Sequence, residues 1–240
     1  MKRSEIKILQ KQFLRYLSGY YENQGFEFDA KETMFYKDHI KLYMNVDSES
    51  GPYYTVRPYI TVEYPEIVAT INNIISKYSN SMFLTMHWNS LFYLDSRTAN
   101  FFNCKEFDKC EENNFTRHSV LFLHKISEPV HVLKSFSRHK KYMELVGFKL
   151  IETCNDLNNY YQLLKSIYVE YFKDLEEYPV KKLQDRPHIL KPNDIYSLVY
   201  LGREADREFV ENIIDKYDKF LGDNHYQQID IAKLILNHVE

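Results

Sequence analysis

Cys104, Cys110, His118 and His124 are the residues in this chain best suited by type to hold a metal, since thiolate and imidazole are the usual ligands of zinc. Their spacing, C-x5-C-x7-H-x5-H, lacks the short C-x2-4-C knuckle through which one turn presents two thiolates. His118 and His124 share a strand parity but stand six residues apart. That is roughly 20 Å at strand rise, so one ion cannot join both along a straight strand. The expectation is two small core cysteines and two strand-end histidines, with no metal and no cofactor.

General acid–base chemistry would need imidazole or carboxylate groups converging in a cleft. Histidines stand at 39, 87, 118, 124, 131, 139, 188, 225 and 238, and no spacing selects one. The segment 80–115 has no clean hydrophobic period, and irregular structure there could line a pocket. An enzyme of unrecognised type would draw on His87, Asp95, His118 and His124 around 85–124. A Cys154 nucleophile with a remote histidine is formally allowed as well. Lone His and Cys side chains are more often core or surface residues than catalysts.

Glycine excludes more than histidine suggests. The 6 glycines stand apart from one another, so no G-x-G-x-x-G, G-x-x-x-x-G-K-[ST] or G-x-S-x-G can be written. Backbone cannot then approach phosphate in the usual tight loops. The stretch YMELVGFKLI ends a helix as acetyltransferases often do, but their pyrophosphate pattern Q/R-x-x-G-x-G/A is absent upstream.

Charge is unevenly placed. Residues 127–150 carry 5 basic and 2 acidic side chains, and 151–240 carry 11 and 17. On a helix from 128, His131, Lys134, Arg138 and Lys141 fall within about 80° of one another. On a helix from 203, Glu204, Glu208, Glu211, Asp215 and Asp218 fall within a similar arc, a stripe about 21 Å long. Val210, Ile213, Ile214, Tyr217 and Leu221 would supply the core face opposite. The bland reading is a solvated face paired locally with Arg203, Arg207, Lys216 and Lys219. In the functional reading these carboxylates steer a basic protein partner into place. The cationic stripe is too small for a nucleic-acid footprint, and a net charge of −3 points the same way.

The elements around these groups follow from periodicity. Residues 4–24 make an amphipathic helix stopped at Gly25, with Ile6, Leu9, Phe13, Leu17 and Tyr20 inward. Strands follow at Thr33–Lys37, at Ile40–Val46, and at Tyr53–Glu63 beyond the turn DSESGP. Pro58 places the last of these at a sheet edge or bulge. Pro65 opens a helix, and Phe115–Lys125 reads as a buried strand. Ser127 would cap a helix that runs to Val146 before Gly147, and Phe148–Ile151 would be a short strand. Helices are expected near 155–176, 193–201, 203–221 and 226–238. The sum is an α+β fold: mostly antiparallel sheet with packed helices in the first half, helices in the second. It is read as one domain over 1–240, with a sub-boundary considered near 126.

No apolar run approaches the ~20 residues that span a bilayer, and no membrane association is expected. The 3 cysteines are too few for a disulfide framework, so the expected compartment is the cytoplasm. The 21 tyrosines and 16 phenylalanines fit a protein interface. They fit a low-GC genome equally well, because Tyr, Phe, Asn, Lys and Ile share A/T-rich codons.

The helix closing on Gly25-Phe26, the aromatic strand Met34-Phe35-Tyr36-Lys37 and the alternating strand Ile40–Val46 together resemble uncharacterised bacterial α+β domains. Some of those domains accompany polymorphic toxins as immunity proteins. The resemblance covers the first ~65 residues by pattern, as amphipathic periodicity does, and implies a binding role without shared catalytic residues. The expectation is a non-enzymatic protein that binds another protein, a basic effector in particular.

Overall fold

The computed structural model describes residues 3–48, 54–78, 90–104, 124–126, 128–178 and 194–238. It is an α+β protein whose chain groups into two compact, discontinuous units. The first comprises Met1–Val62 and Leu91–Glu152, the second Glu63–Ser90 and Thr153–Glu240. Residues 124–126 thus lie within the first unit, and the chain does not divide near 126.

The first unit is an antiparallel sheet under a layer of helices. Its strands are β1 (Glu27–Asp29), β2 (Met34–Lys37), β3 (Ile40–Ser48), β4 (Tyr54–Val62) and β5 (Ser90–Tyr93), paired in that order, while β6 (His124–Lys125) also pairs with β4. Alternation sets its faces. Phe35, Leu42 and Ile60 lie opposite one another in register and are fully buried, as are Ile40 and Met44 on the same face of β3. Helix α1 (Arg3–Glu22) covers this face through Ile6, Leu9, Phe13, Leu17 and Tyr21. Gly25 ends it in a left-handed conformation, φ +80°.

Pro58 sits neither at an edge nor in a bulge. The β3–β4 register runs one-for-one from Ile40↔Val62 to Ser48↔Tyr54, and the Pro58 carbonyl accepts from Leu94 N–H on the other side. Proline lacks only the donor, so a strand paired on both sides tolerates it where no acceptor faces its nitrogen.

Helix α3 (Ser96–Phe101) follows β5, and α4 (Pro129–Tyr142) packs beside α1. The described N-cap of α4 is Glu128, which makes no side-chain capping bond; Ser127 lies outside the described residues. Gly147 does not stop this helix. The chain passes through a π-turn (Met143–Gly147) straight into α5 (Phe148–Asn155), so Phe148–Ile151 is helical and no strand forms there. Gly147 is small because the Met143 thioether occupies the space a Cβ would need. Gly25 and Gly147 therefore serve different ends.

The second unit is helical: α2 (Pro65–Tyr78), α6 (Leu157–Glu177), α7 (Ile195–Gly202) and α8 (Arg207–Leu236). A straight helix of 30 residues would be about 45 Å long. Yet the Arg207 guanidinium donates to Leu236 O at 3.2 Å and Asn237 Oδ1 at 3.0 Å, and Lys233 stands 3.4 Å from Asp218. The run therefore folds back between Asp218 and Lys233, the stretch in which the sequence separates a helix near 203–221 from one near 226–238. The described part of the expected strand Phe115–Lys125 is β6 alone.

At Gly202 an added Cβ would lie 2.5 Å from Val210 Cγ2 and 2.6 Å from the Tyr161 hydroxyl, whereas nothing stands within 4 Å of one at Gly19. Gly202→Ala is expected to lower the urea midpoint of the helical signal, at a cost of about 1–3 kcal/mol. Gly19→Ala, inside α1, should raise it by about 0.5–1 kcal/mol.

Candidate functional site

Helix α8 buries Val210, Ile213, Ile214 and Tyr217, so the residues between them point outward. Its start is pinned to α6, because Asp206 accepts from the Tyr161 hydroxyl at 3.0 Å and pairs with Lys165. That lysine in turn lies 4.3 Å from the Phe209 ring centroid. The Lys165 hydrogen bond holds the Asp206 carboxyl below its ordinary range.

The expected stripe is rearranged by this boundary. Glu204 lies in the turn before α8, not on the helix, 3.8 Å from the Arg203 guanidinium. Glu208, Glu211, Asp215 and Asp218 are exposed on the helix. Glu211 pairs with Arg207 at 2.8 Å and Asp218 with Lys233 at 3.4 Å, so part of the stripe is neutralised locally. Lys216 pairs with Glu176 at 2.8 Å. Glu208 and Asp215 have no cationic partner among the described residues. They border a shallow depression of about 430 Å³ lined by Glu208, Glu211, Asn212, Asp215, Lys216 and Lys219. Glu208 and Asp215 are seven residues apart, about 10.5 Å along the axis. That is too far to share one ion and suits two cationic side chains about two helical turns apart on a partner.

The alternative pocket is represented by Asp95. Its carboxylate caps α3, accepting from Arg97 N at 2.9 Å and Thr98 N at 3.4 Å. It also accepts from Arg97 Nε at 2.7 Å, while that guanidinium lies 5.2 Å from the Tyr93 ring centroid. Burial raises its pKa, and Arg97 opposes the rise. Tyr142 donates to the Asp95 carbonyl at 3.0 Å. Asp95 is thus committed to capping and to Arg97, and among the described residues no histidine bonds to it. His87 and His118 lie outside the described residues; His124 is placed by its backbone pairing with Val56. Cys110 also lies outside them, while Cys104 is a free, half-buried thiol. Among the described residues no set of three His, Cys, Asp or Glu could hold a metal. Cys154 is buried, which pushes its thiol up, away from the low pKa a nucleophile needs.

Two buried polar clusters escaped the sequence reading. In the second unit Asp194 caps α7, accepting from Ser197 N at 2.9 Å, and also accepts from Ser90 Oγ at 2.8 Å and Tyr160 OH at 3.1 Å. An aspartate three residues before a serine and just ahead of an apolar run was the available signal. In the first unit Tyr21 Oη and His139 Nε2 are 2.5 Å apart in the interior. Val132, Ser135, His139 and Tyr142 form the buried face of α4, so helical phase alone separates His139 from the cationic stripe of His131, Lys134, Arg138 and Lys141.

Comparison with protein-family models, with curated proteins and with solved structures finds no match. The class of protein rests on its own architecture: an α+β chain with one sheet-and-helix unit and one helical unit.

Burial lowers the His139 pKa from 6.5 to about 3. Between those values the unfolded chain takes up a proton that the folded chain refuses. This contribution to stability is complete above about pH 6.5 and is lost as the pH falls toward about 3. At about 1.4 kcal/mol per pH unit, the loss at pH 5 is about 2 kcal/mol. Denaturant titrations at pH 7 and pH 5 should show it, and His139→Gln should flatten the difference.

Proposed function

We propose that this chain acts by binding another protein, with the outward carboxylates of α8 as the contact surface, and that it is a non-enzymatic inhibitor of a basic effector, working in the bacterial cytoplasm. The observation that carries the reading is the pair Glu208 and Asp215: exposed, two turns apart and without a cationic partner among the described residues. Surface carboxylates that are paired at home gain little from a partner. Unpaired ones retain a field that accelerates encounter with an oppositely charged surface. Glu211 and Asp218 can contribute only by exchanging Arg207 and Lys233 for groups of the partner. The resemblance of the first ~65 residues to immunity-type domains agrees with a role in binding, and amphipathic pattern is all it rests on.

The test is capture by the tagged chain from its native lysate at low and high salt, followed by kinetics with the purified partner. Glu208→Lys with Asp215→Lys is expected to slow association about tenfold or more while leaving dissociation nearly unchanged. A partner bound equally fast by this variant, with no salt dependence, would remove α8 from the account.

A further inference from the structure

The chain's net charge of −3 conceals a division. The first unit holds 19 basic and 16 acidic residues, for +3, and the second 12 and 18, for −6. Part of the first unit's positive charge lies on the helical layer, on the side turned away from the sheet.

On α1, Lys7, Lys11 and Arg15 follow one another at one-turn spacing, opposite the buried row Ile6, Leu9, Phe13 and Leu17. All three are exposed and have no ion-pair partner among the described residues. On α4 the residues opposite Val132, Ser135 and His139 include Lys134, Lys140 and Lys141, also exposed. Both helices lie over the same face of the sheet. Tyr21 of α1 packs on Phe35 with ring centroids 4.7 Å apart, and His139 of α4 meets Tyr21 at 2.5 Å. Their outward sides therefore belong to one side of the unit.

Apolar side chains stand among these cations. Seven large hydrophobic residues are exposed in the described chain, and five of them, Ile8, Tyr16, Val130, Leu133 and Leu145, lie on α1, α4 and the π-turn that continues α4. Ile8 and Val130 are 65% exposed and Leu133 is 55% exposed. Single exposed aliphatics need no explanation, but their concentration on one cationic layer does.

We propose that the outward side of α1 and α4 docks peripherally on an anionic phospholipid bilayer. In this arrangement Lys7, Lys11, Arg15, Lys134, Lys140 and Lys141 lie over the lipid phosphates, while Ile8, Val130 and Leu133 enter the boundary between headgroups and acyl chains. A bilayer offers negative charge and an apolar layer beneath it to any flat array that carries both complements. A nucleic-acid backbone would satisfy the cations but leave the protruding aliphatics against sugar and phosphate. An acidic protein would need carboxylates and apolar sockets in a matching pattern. The same face carries Glu22 and Glu144, the latter 3.7 Å from Lys140. These reduce its net charge and make binding weak, reversible and salt-sensitive. No described helix is long and apolar enough to cross a membrane, so the contact is with the surface. The inference concerns the other unit from α8 and is independent of the function proposed for that helix.

The experiment is sedimentation of the full chain with phosphatidylcholine vesicles, with and without phosphatidylserine, across a salt series. Expected is binding only where phosphatidylserine is present, released as salt rises, since each basic residue near an anionic surface contributes about fivefold in partition. Lys7→Glu with Lys11→Glu and Arg15→Glu should lower partition by more than about 100-fold. Ile8→Ser with Val130→Ser and Leu133→Ser should weaken it while leaving its salt dependence intact. Every substituted side chain is exposed, and circular dichroism checks that each variant folds. The proposal is overturned if the full chain stays in the supernatant at low salt, or if the triple glutamate variant binds as well as the original. It is equally overturned if these substitutions only dissolve an oligomer in sedimentation velocity runs, which would assign the face to a second copy of the chain.

Discussion

The 2.5 Å approach of Tyr21 to His139 is the contact on which the first unit's outer surface depends. A phenol and an imidazole buried together must satisfy one another, since each would lose a hydrogen bond to water and gain none. Tyr21 also packs on Phe26 and Phe35 at 5.5 and 4.7 Å, and His139 lies 6.5 Å from Phe13. This fixes α1 against the sheet and α4 against α1 together. Once those faces are buried, helical geometry leaves no choice about what points outward: Lys7, Lys11 and Arg15 on one helix, Val130, Leu133 and Lys134 on the other. A cation inserted at 139 instead would expel α4 from the layer and scatter that surface.

The second unit solves the same problem with a carboxylate. Asp194 draws Ser90, Tyr160 and the first turn of α7 to one point, so three separate stretches of chain converge on one buried anion. Three donors around a carboxylate offset much of the cost of removing it from water. Asp206, the residue immediately before α8, repeats the device nearer the surface with Tyr161 and Lys165. The orientation of Glu208 and Asp215 follows from those anchors, because rotating α8 about its axis would break them and expose Val210 and Ile214.

Much of this architecture was legible in the sequence, and the failures have physical reasons. The α1 periodicity, the alternation of β3 and the proline start of α2 were readable because each buries one clean face. Separate helices were expected near 203–221 and 226–238, and the meeting of Arg207 with Leu236 agrees with a reversal between them. Gly147 misled because glycine has two uses, a left-handed turn and a close approach, and only the first ends a helix. Pro58 misled because a missing donor was treated as a missing strand partner. Glu204 was placed on a helix that starts three residues later, a difference that periodicity cannot see. Asp95 was legible as a carboxylate in an irregular region but not as a cap, since Arg97 and Thr98 make it one only when the chain turns after β5. The partition of charge between units was hidden because each unit is assembled from two distant stretches.

The described tyrosines show where much of the aromatic composition goes. Tyr21, Tyr142, Tyr160, Tyr168 and Tyr196 are among the largest fully buried side chains. Three interior bonds, Tyr21 to His139, Tyr142 to the Asp95 carbonyl and Tyr160 to Asp194, and a half-buried one from Tyr64 to the Cys154 carbonyl at 2.6 Å show what several of the hydroxyls do. These phenols build cores: Tyr21, Tyr142 and Tyr160 give apolar area together with a hydrogen bond to a neighbouring element, whereas the Tyr168 hydroxyl is buried without one among the described residues. Among the described residues Tyr16 is the only aromatic in the exposed large hydrophobics, while most of the largest fully buried side chains are aromatic. What the surfaces offer instead is charge: unpaired carboxylates on α8, unpaired cations on α1. Recognition built on charge gains speed and selectivity more than tenacity. Both proposed contacts are therefore of a readily reversible kind, and ionic strength would govern each in the same direction, because the sign of a screened attraction does not depend on which side carries the positive charge.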